Sequence, residues 1–306
     1  MEPLFRRTYR AAELMERHPP RWQHPHKKLA ATLTCPEGAV HTGEITVTRW
    51  AALPLPEMIP DHRTAVEVCP YFYSYEPSSV GDWHVNFADR NLFGYYGGPL
   101  LAQDELQVLE HPALGAVREA LLIEKLPALT VEGELPTPVL VLSVERRGAL
   151  DTTELYGNRF ARATPEKVRA ALRVLDPPTT SNILAMEAIP GGHGAYTREE
   201  LEYTLQTAFT GFCAARTESL GPVTIHTGFW GCGAYGGNRT VMVLLQLLAA
   251  QLAGMEKIVL YSGDLPGLAQ VHKTLETRHA LFRQSVAQTL DALHAEGFGW
   301  GVSDGN

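Results

Sequence analysis

Between Pro222 and Gly254 the chain reads PVTIHTGFWGCGAYGGNRTVMVLLQLLAAQLAG. A β-branched stretch ends near His226, glycines follow at 228, 231, 233, 236 and 237, and an apolar run with helical spacing begins near Asn238. Strand, glycine-rich loop and helix in that order bring backbone N–H groups together at a helix N-terminus. Such an arrangement favours a diphosphate, because the amides point at the anion and glycine has no Cβ to keep it away. Gly231, Gly233 and Gly236 also satisfy the GxGxxG spacing of dinucleotide-binding folds. Against that reading, only one further strand follows the loop. A bare glycine turn is the third alternative, although Trp230 and Tyr235 among the glycines suit the wall of a cleft better.

The rest of the chain sets this unit in an α/β frame. Strands are expected at Glu44–Arg49, Ala65–Ser74 (interrupted by Pro70), Asp82–Phe87, Thr137–Val144, Asn182–Ile189, Pro222–His226 and Lys257–Ser262. TPVLVLSV and NILAMEAI are continuous apolar runs, as expected of strands buried on both faces. Helices are expected at Thr8–Arg17, from Leu101 with a break near Pro112, at Thr197–Arg216 behind a Thr197/Glu200 capping box, at Thr240–Leu252, and in two pieces over Leu268–Leu293. The segment HPPRWQHPHKK reads as a loop because of its prolines. Strands and helices alternate through the second half. The expected fold class is therefore α/β, a three-layer α/β/α domain with a mixed sheet over residues 61–306 and a helical and loop extension over 1–60.

Composition narrows the function. The net charge is −8, with no basic stripe, so general nucleic-acid binding is not expected. Four separate cysteines form no CxxC pair, and His18, His24 and His26 lack a metal-ligand spacing, so neither metal nor cofactor is expected. There is no apolar run long enough to cross a membrane and no export signal near Met1, which points to a cytoplasmic chain.

Residues 227–250, TGFWGCGAYGG leading into LLQLLAA, resemble the C-terminal signature of the poly(ADP-ribose) glycohydrolase family. Two further stretches in the family's order extend the match to about residues 65–270. VNFADRNLFGYYGGPLLAQDELQVLEHP is similar to the family's catalytic segment, with Asn86–Asp89 leading to Gln103-Asp104-Glu105, and LYGNRF places Tyr156 where the family has an adenine-stacking tyrosine. The resemblance implies a macrodomain-like fold. It also implies ADP-ribose or an ADP-ribosylated substrate as partner, and Gly231, Cys232, Gly233, Ala234 and Tyr235 around the diphosphate and distal ribose. The chain departs from the family where three glycines become Gly94-Tyr95-Tyr96, followed by Gly97-Gly98, and where Asn86, Asp89 and Asp104 stand for Asp, Asn and Glu.

The implied chemistry is cleavage of a ribose O-glycosidic bond through an oxocarbenium-like transition state. One carboxyl would protonate the leaving oxygen and then activate water. Glu105 takes that role in this reading and Asp104 supports it, with Asn86, Asp89, Gly94, Tyr95 and Gln103 around the ribose and the rim. The alternative is a module that binds ADP-ribose without cutting it.

Overall fold

The computed structural model describes residues 2–75 and 81–305. In chain order the elements are β1 (Phe5–Arg10), α1 (Ala11–Arg17), α2 (Pro25–Thr34), β2 (Glu44–Arg49), β3 (Ala65–Cys69), β4 (Asp82–Ala88), α3 (Gln103–Glu110), α4 (Ala113–Ile123), β5 (Val131–Glu132), β6 (Leu135–Pro136), β7 (Val139–Leu150), α5 (Arg159–Arg162), α6 (Pro165–Ala171), β8 (Leu172–Glu187), α7 (Arg198–Thr217), β9 (Thr224–Gly228), α8 (Arg239–Ala253), β10 (Lys257–Tyr261), α9 (Leu265–Leu281) and α10 (Val286–Ala295).

Eight strands form one mixed sheet in the order β1-β2-β7-β8-β4-β9-β10-β3. From β8 to β3 neighbouring strands run parallel, and β1, β2 and β7 continue the sheet antiparallel. The two apolar runs explain why the centre is covered on both sides. Leu184 and Met186 of β8 pack with α7, α8, α9 and α10, whereas Ile183 and Ala185 pack with α1 and α4 on the opposite face. Alternate residues of a strand point to opposite faces, so a run with no polar break demands two helical layers. A third apolar cluster joins α2, α5 and α6 to α3 and the end of β7.

The dinucleotide-binding alternative fails on topology. Among the described residues, only β10 is added to the sheet after the glycine loop, and its outer neighbour is β3, from the first quarter of the chain.

Two expectations change in the N-terminal segment. Phe5–Arg10 is a strand paired antiparallel with Glu44–Arg49, so the helix expected from Thr8 begins at Ala11. The last four residues of HPPRWQHPHKK are helical. Pro25 occupies the first turn of α2, where its missing N–H leaves no bond unmade. Residues 1–60 thus contribute two strands to the sheet beside their helices. The long N-terminal half of β8, Leu172–Ser181, also escapes the sequence pattern, because its polar residues and two prolines face a single partner, β7.

Candidate active site

The parallel strands β8, β4, β9, β10 and β3 all end on one side of the sheet. A cleft of about 850 Å³ opens there, lined by the residues that follow them. Ligands in open α/β sheets bind beyond the carboxyl ends of the strands, and the volume is that of a nucleotide-sized site.

One wall is the loop between β9 and α8. Trp230 anchors it from below, its ring buried and its Nε1 donating to the Met186 carbonyl at 3.0 Å. The loop is tied internally by Cys232 N–H to Phe229 O, Gly236 N–H to Gly233 O, and Gly237 N–H to Gly231 O, at 3.0, 3.0 and 2.9 Å. Gly231 has φ +74°, and a Cβ there would come within 2.4 Å of the Ala188 Cβ, so the turn admits only glycine. The amides of Gly231, Gly233, Ala234 and Tyr235 find no acceptor among the described residues. The first amides of α8 behave differently. Asn238 Oδ1 accepts from Thr240 and Val241 N–H, so the helix N-terminus is already capped and the loop itself presents the open donors. Arg239 stands beside the loop on the cleft wall, its guanidinium 4.5 Å from the Phe229 ring centroid. Burial pushes the Cys232 thiol up to about 12, which leaves it a neutral packing group.

The opposite wall is the N-terminus of α3. Gln103 lines the cleft, but both ends of its amide hold β4: Oε1 accepts from Phe87 N–H at 2.7 Å and Nε2 donates to Val85 O at 3.0 Å. Asp104 and Glu105 are both buried and both line the cleft. Asn86, expected at the ribose, lies fully buried beneath them, and its Nδ2 donates to Asp104 Oδ1 at 3.1 Å. Glu105 Oε2 accepts from Ala102 N–H at 2.9 Å, so the carboxylate itself caps the start of its own helix. Burial, then the neighbouring Glu105 charge, pushes the Asp104 carboxyl up to about 8. Burial also raises Glu105, opposed first by the ammonium of Lys27. Two carboxyls this close in a dry site do not both ionise easily.

Asp89 lies between the walls. Its Oδ1 accepts from Asn91 N–H and Nδ2, and its Oδ2 from the Tyr235 hydroxyl at 3.0 Å. The same hydroxyl lies 3.1 Å from Glu187 Oε1. A hydroxyl has one proton to give, so both contacts are satisfied when Glu187 is itself protonated and donates to Tyr235. Burial raises the Glu187 carboxyl, which agrees with that arrangement.

The altered glycine segment divides in two. Tyr95 is 57% exposed and reaches the cleft rim. Tyr96 turns inward, donating to Glu119 Oε1 at 3.0 Å and packing edge-on against Trp22. Gly94 does not reach the cleft wall; its missing Cβ makes room for the Asn91 carbonyl. Gly97 serves the N-terminal segment, since a Cβ there would lie 2.5 Å from the Arg21 carbonyl.

Tyr156 closes the far end, its ring centroid 5.4 Å from that of Phe72 at 30°. The pair presents an aromatic surface on which a planar base can stack. Sequence reasoning missed Phe72, Arg239, Glu187, Lys27 and Asp304. Asp304 belongs to the C-terminal tail, which crosses the glycine loop so that its N–H meets Gly233 O at 3.4 Å. Arg239 directly follows the glycine loop and Glu187 ends β8, while Phe72, Lys27 and Asp304 reach the site through packing of distant segments.

A family model described as poly(ADP-ribose) glycohydrolase (PARG), macro domain fold, matches residues 74–265, well over half of the chain. The chain belongs to the poly(ADP-ribose) glycohydrolase family. With the family come the macrodomain fold and the enzyme class, a glycohydrolase of ADP-ribosyl groups. Among solved structures, poly(ADP-ribose) glycohydrolase from Thermomonospora curvata is 15% identical with a TM-score of 0.49, covering 88% of this chain and 96% of that one. The same bacterium's enzyme bound to the inhibitor ADP-HPD is 16% identical with a TM-score of 0.47, covering 89% and 84%. The Deinococcus radiodurans enzyme in complex with ADP-ribose is 14% identical with a TM-score of 0.47, covering 89% and 94%. Among the described residues of this chain no helix is long and apolar enough to cross a membrane.

Proposed function

We propose that this cleft binds an ADP-ribosyl group and hydrolyses its ribose O-glycosidic bond, with Glu105 as general acid and base. The observation that carries the reading is the pairing of four acceptorless loop amides with a buried carboxyl pair across one cleft.

The diphosphate lies on the amides of Gly231, Gly233, Ala234 and Tyr235, with Arg239 beside it. The adenine stacks on the Tyr156–Phe72 aromatic pair. The distal ribose is then set between the loop and the N-terminus of α3, near Asp89. A diphosphate entering this cleft adds negative charge close to Glu105, which raises its carboxyl further and favours the acid form in the complex. Glu105 gives its proton to the leaving oxygen as the C1″–O bond breaks and the bonding electrons go to that oxygen. Water then attacks C1″, its proton returns to Glu105, and free ADP-ribose leaves. Asn86 fixes Asp104 from below, and Gln103 locks the first turn of α3 to β4, so the acid pair moves little during the reaction.

The intact acid pair separates a hydrolase from a protein that merely reads ADP-ribose. Calorimetric titration with ADP-ribose tests the binding half. Micromolar affinity that is lost in Gly231→Val supports the reading. No heat of binding at millimolar ligand removes it.

A further inference from the structure

Three separate parts of the chain meet at the hydroxyl of Tyr235. Tyr235 belongs to the glycine loop. Its hydroxyl lies 3.0 Å from Oδ2 of Asp89, which follows β4, and 3.1 Å from Oε1 of Glu187, which ends β8. Asp89 and Tyr235 line the cleft, whereas Glu187 is buried behind them. One hydroxyl proton satisfies only one of two carboxylates, so the second contact needs a proton of its own. Asp89 is the acceptor of the two, because Asn91 N–H and Nδ2 already donate to its Oδ1 at 2.9 and 3.1 Å. Glu187 is then the acid, and the donors run one way, from Glu187 to Tyr235 and from Tyr235 to Asp89. Three donors from the protein thus occupy Asp89, out of about four positions on a carboxylate, which leaves one on Oδ2 for the ligand. The remaining bonds of the loop hold it differently. Three close it on itself, and Trp230 ties its base to the Met186 carbonyl; the Tyr235 hydroxyl carries its far end across to Asp89.

We propose that Glu187 is a positioning residue of the anion site: its acid form latches the glycine loop to Asp89 through the Tyr235 hydroxyl, and its ionisation opens the latch and weakens binding of the diphosphate. The inference rests on the placement of the diphosphate and distal ribose given above. Loss of the Glu187 proton leaves two carboxylates contending for one hydroxyl proton. Tyr235 can then turn its donor away from Asp89, and the amides of Gly231, Gly233 and Ala234 lose the brace that faces them into the cleft. The groups around Glu187 set when this happens. Burial, the largest influence, favours its acid form, as does the Asp89 charge, while the Tyr235 hydroxyl and Arg90 favour the charged form. On the α7 side stands Tyr203, a phenol kept neutral by burial first and by the Glu187 charge second, with Glu134 beyond it acting in the same sense. The balance raises the Glu187 carboxyl above its ordinary value. The latch is therefore closed at low pH and opens as pH rises through that raised value.

The test follows wild type, Glu187→Gln and Tyr235→Phe from about pH 5 to about pH 9 by NMR of the ligand-free protein and by calorimetric affinity for ADP-ribose. In wild type the amide shifts of Gly231, Gly233 and Ala234 show a step that coincides with the carbon-13 titration of the Glu187 carboxyl, and affinity falls about fivefold or more across it. Glu187→Gln supplies a permanent donor without a charge, so its loop amides lose the step and its affinity loses that fall. Tyr235→Phe has no hydroxyl to share. Its affinity is already about fivefold or more below wild type at the low-pH end, and the step is absent. Asp104, raised to about 8, also titrates in this range, so each variant is read against wild type. If Tyr235→Phe matches wild type at low pH and keeps the fall, charge alone explains the effect and the latch is overturned. Loop amides that ignore Glu187 overturn it as well. If neither variant folds, wild type decides: the Glu187 carboxyl and the loop amides must titrate with one midpoint, and separate midpoints overturn the proposal. The NMR arm needs no ligand, so if ADP-ribose fails to bind, the reading of the cleft falls while the amides still decide the latch.

Discussion

The two walls of the cleft approach the same ligand by opposite means. After β9 the chain binds with backbone: glycines bring open amides up to the ligand, and Asn238 has already taken the helix's own first donors. At α3 the chain works with side chains, and the backbone amides there serve the protein, with Ala102 capped by Glu105 and Phe87 held by Gln103. Glycine is needed on both walls for different reasons. Gly231 makes way for a turn packed on Ala188, whereas Gly97 makes way for the carbonyl of Arg21. Tyr95 and Tyr96 therefore leave the loop wall untouched. Tyr96 seats the N-terminal segment on the other wall, and Tyr95 stands at its rim.

The largest effect that breaks this contrast is expected from Gly231→Val. A side chain at φ +74° that also meets Ala188 should cost about 3 kcal/mol or more of stability in chemical denaturation and abolish ADP-ribose binding. On the other wall, Asp104→Asn tests the buried acid. The folded carboxyl is raised from 3.8 to about 8, so its contribution to stability is fully present below about pH 4 and is lost as pH rises towards 8. Denaturation midpoints of the wild type should therefore decline over that window, and Asp104→Asn should flatten the decline. An unchanged slope would place the raised group elsewhere. Tyr156→Leu should weaken ADP-ribose binding about tenfold by removing base stacking, with little change in stability, because the ring lines the cleft. The smallest effect is expected from Asp304→Asn. Its carboxylate lies against Gly233, where the diphosphate is placed, so neutralising it should tighten ADP-ribose binding about threefold, more at low salt than at high.

The same contrast marks what the sequence makes legible. The loop wall is local: strand, glycines and helix are consecutive, and Gly231, Cys232, Gly233, Ala234 and Tyr235 all line the cleft. The central strands are legible because two-sided burial leaves an unbroken apolar run. The acid wall is assembled from distant pieces. Glu105, Asp104, Asp89, Tyr95 and Tyr156 reach the cleft, but Asn86 and Gly94 do not, and Gln103 spends its amide on β4. Lys27 had no local signal at all. It sits in PHKKLAA beside Lys28, which is exposed, and only the packing of α2 against Tyr96 and Phe160 makes one lysine interior and the other solvent-facing. Phe5–Arg10 was similarly hidden, since FRRTYR acquires its strand character by pairing with β2 at the sheet edge.

The most direct test of the whole account is the time course of ADP-ribose release from poly(ADP-ribose) by wild type and Glu105→Gln side by side. The account predicts steady release by the wild type, and a loss of at least about a hundredfold in the variant while it still binds ADP-ribose. Equal release by both proteins, or a wild type that binds ADP-ribose and frees none, would contradict it.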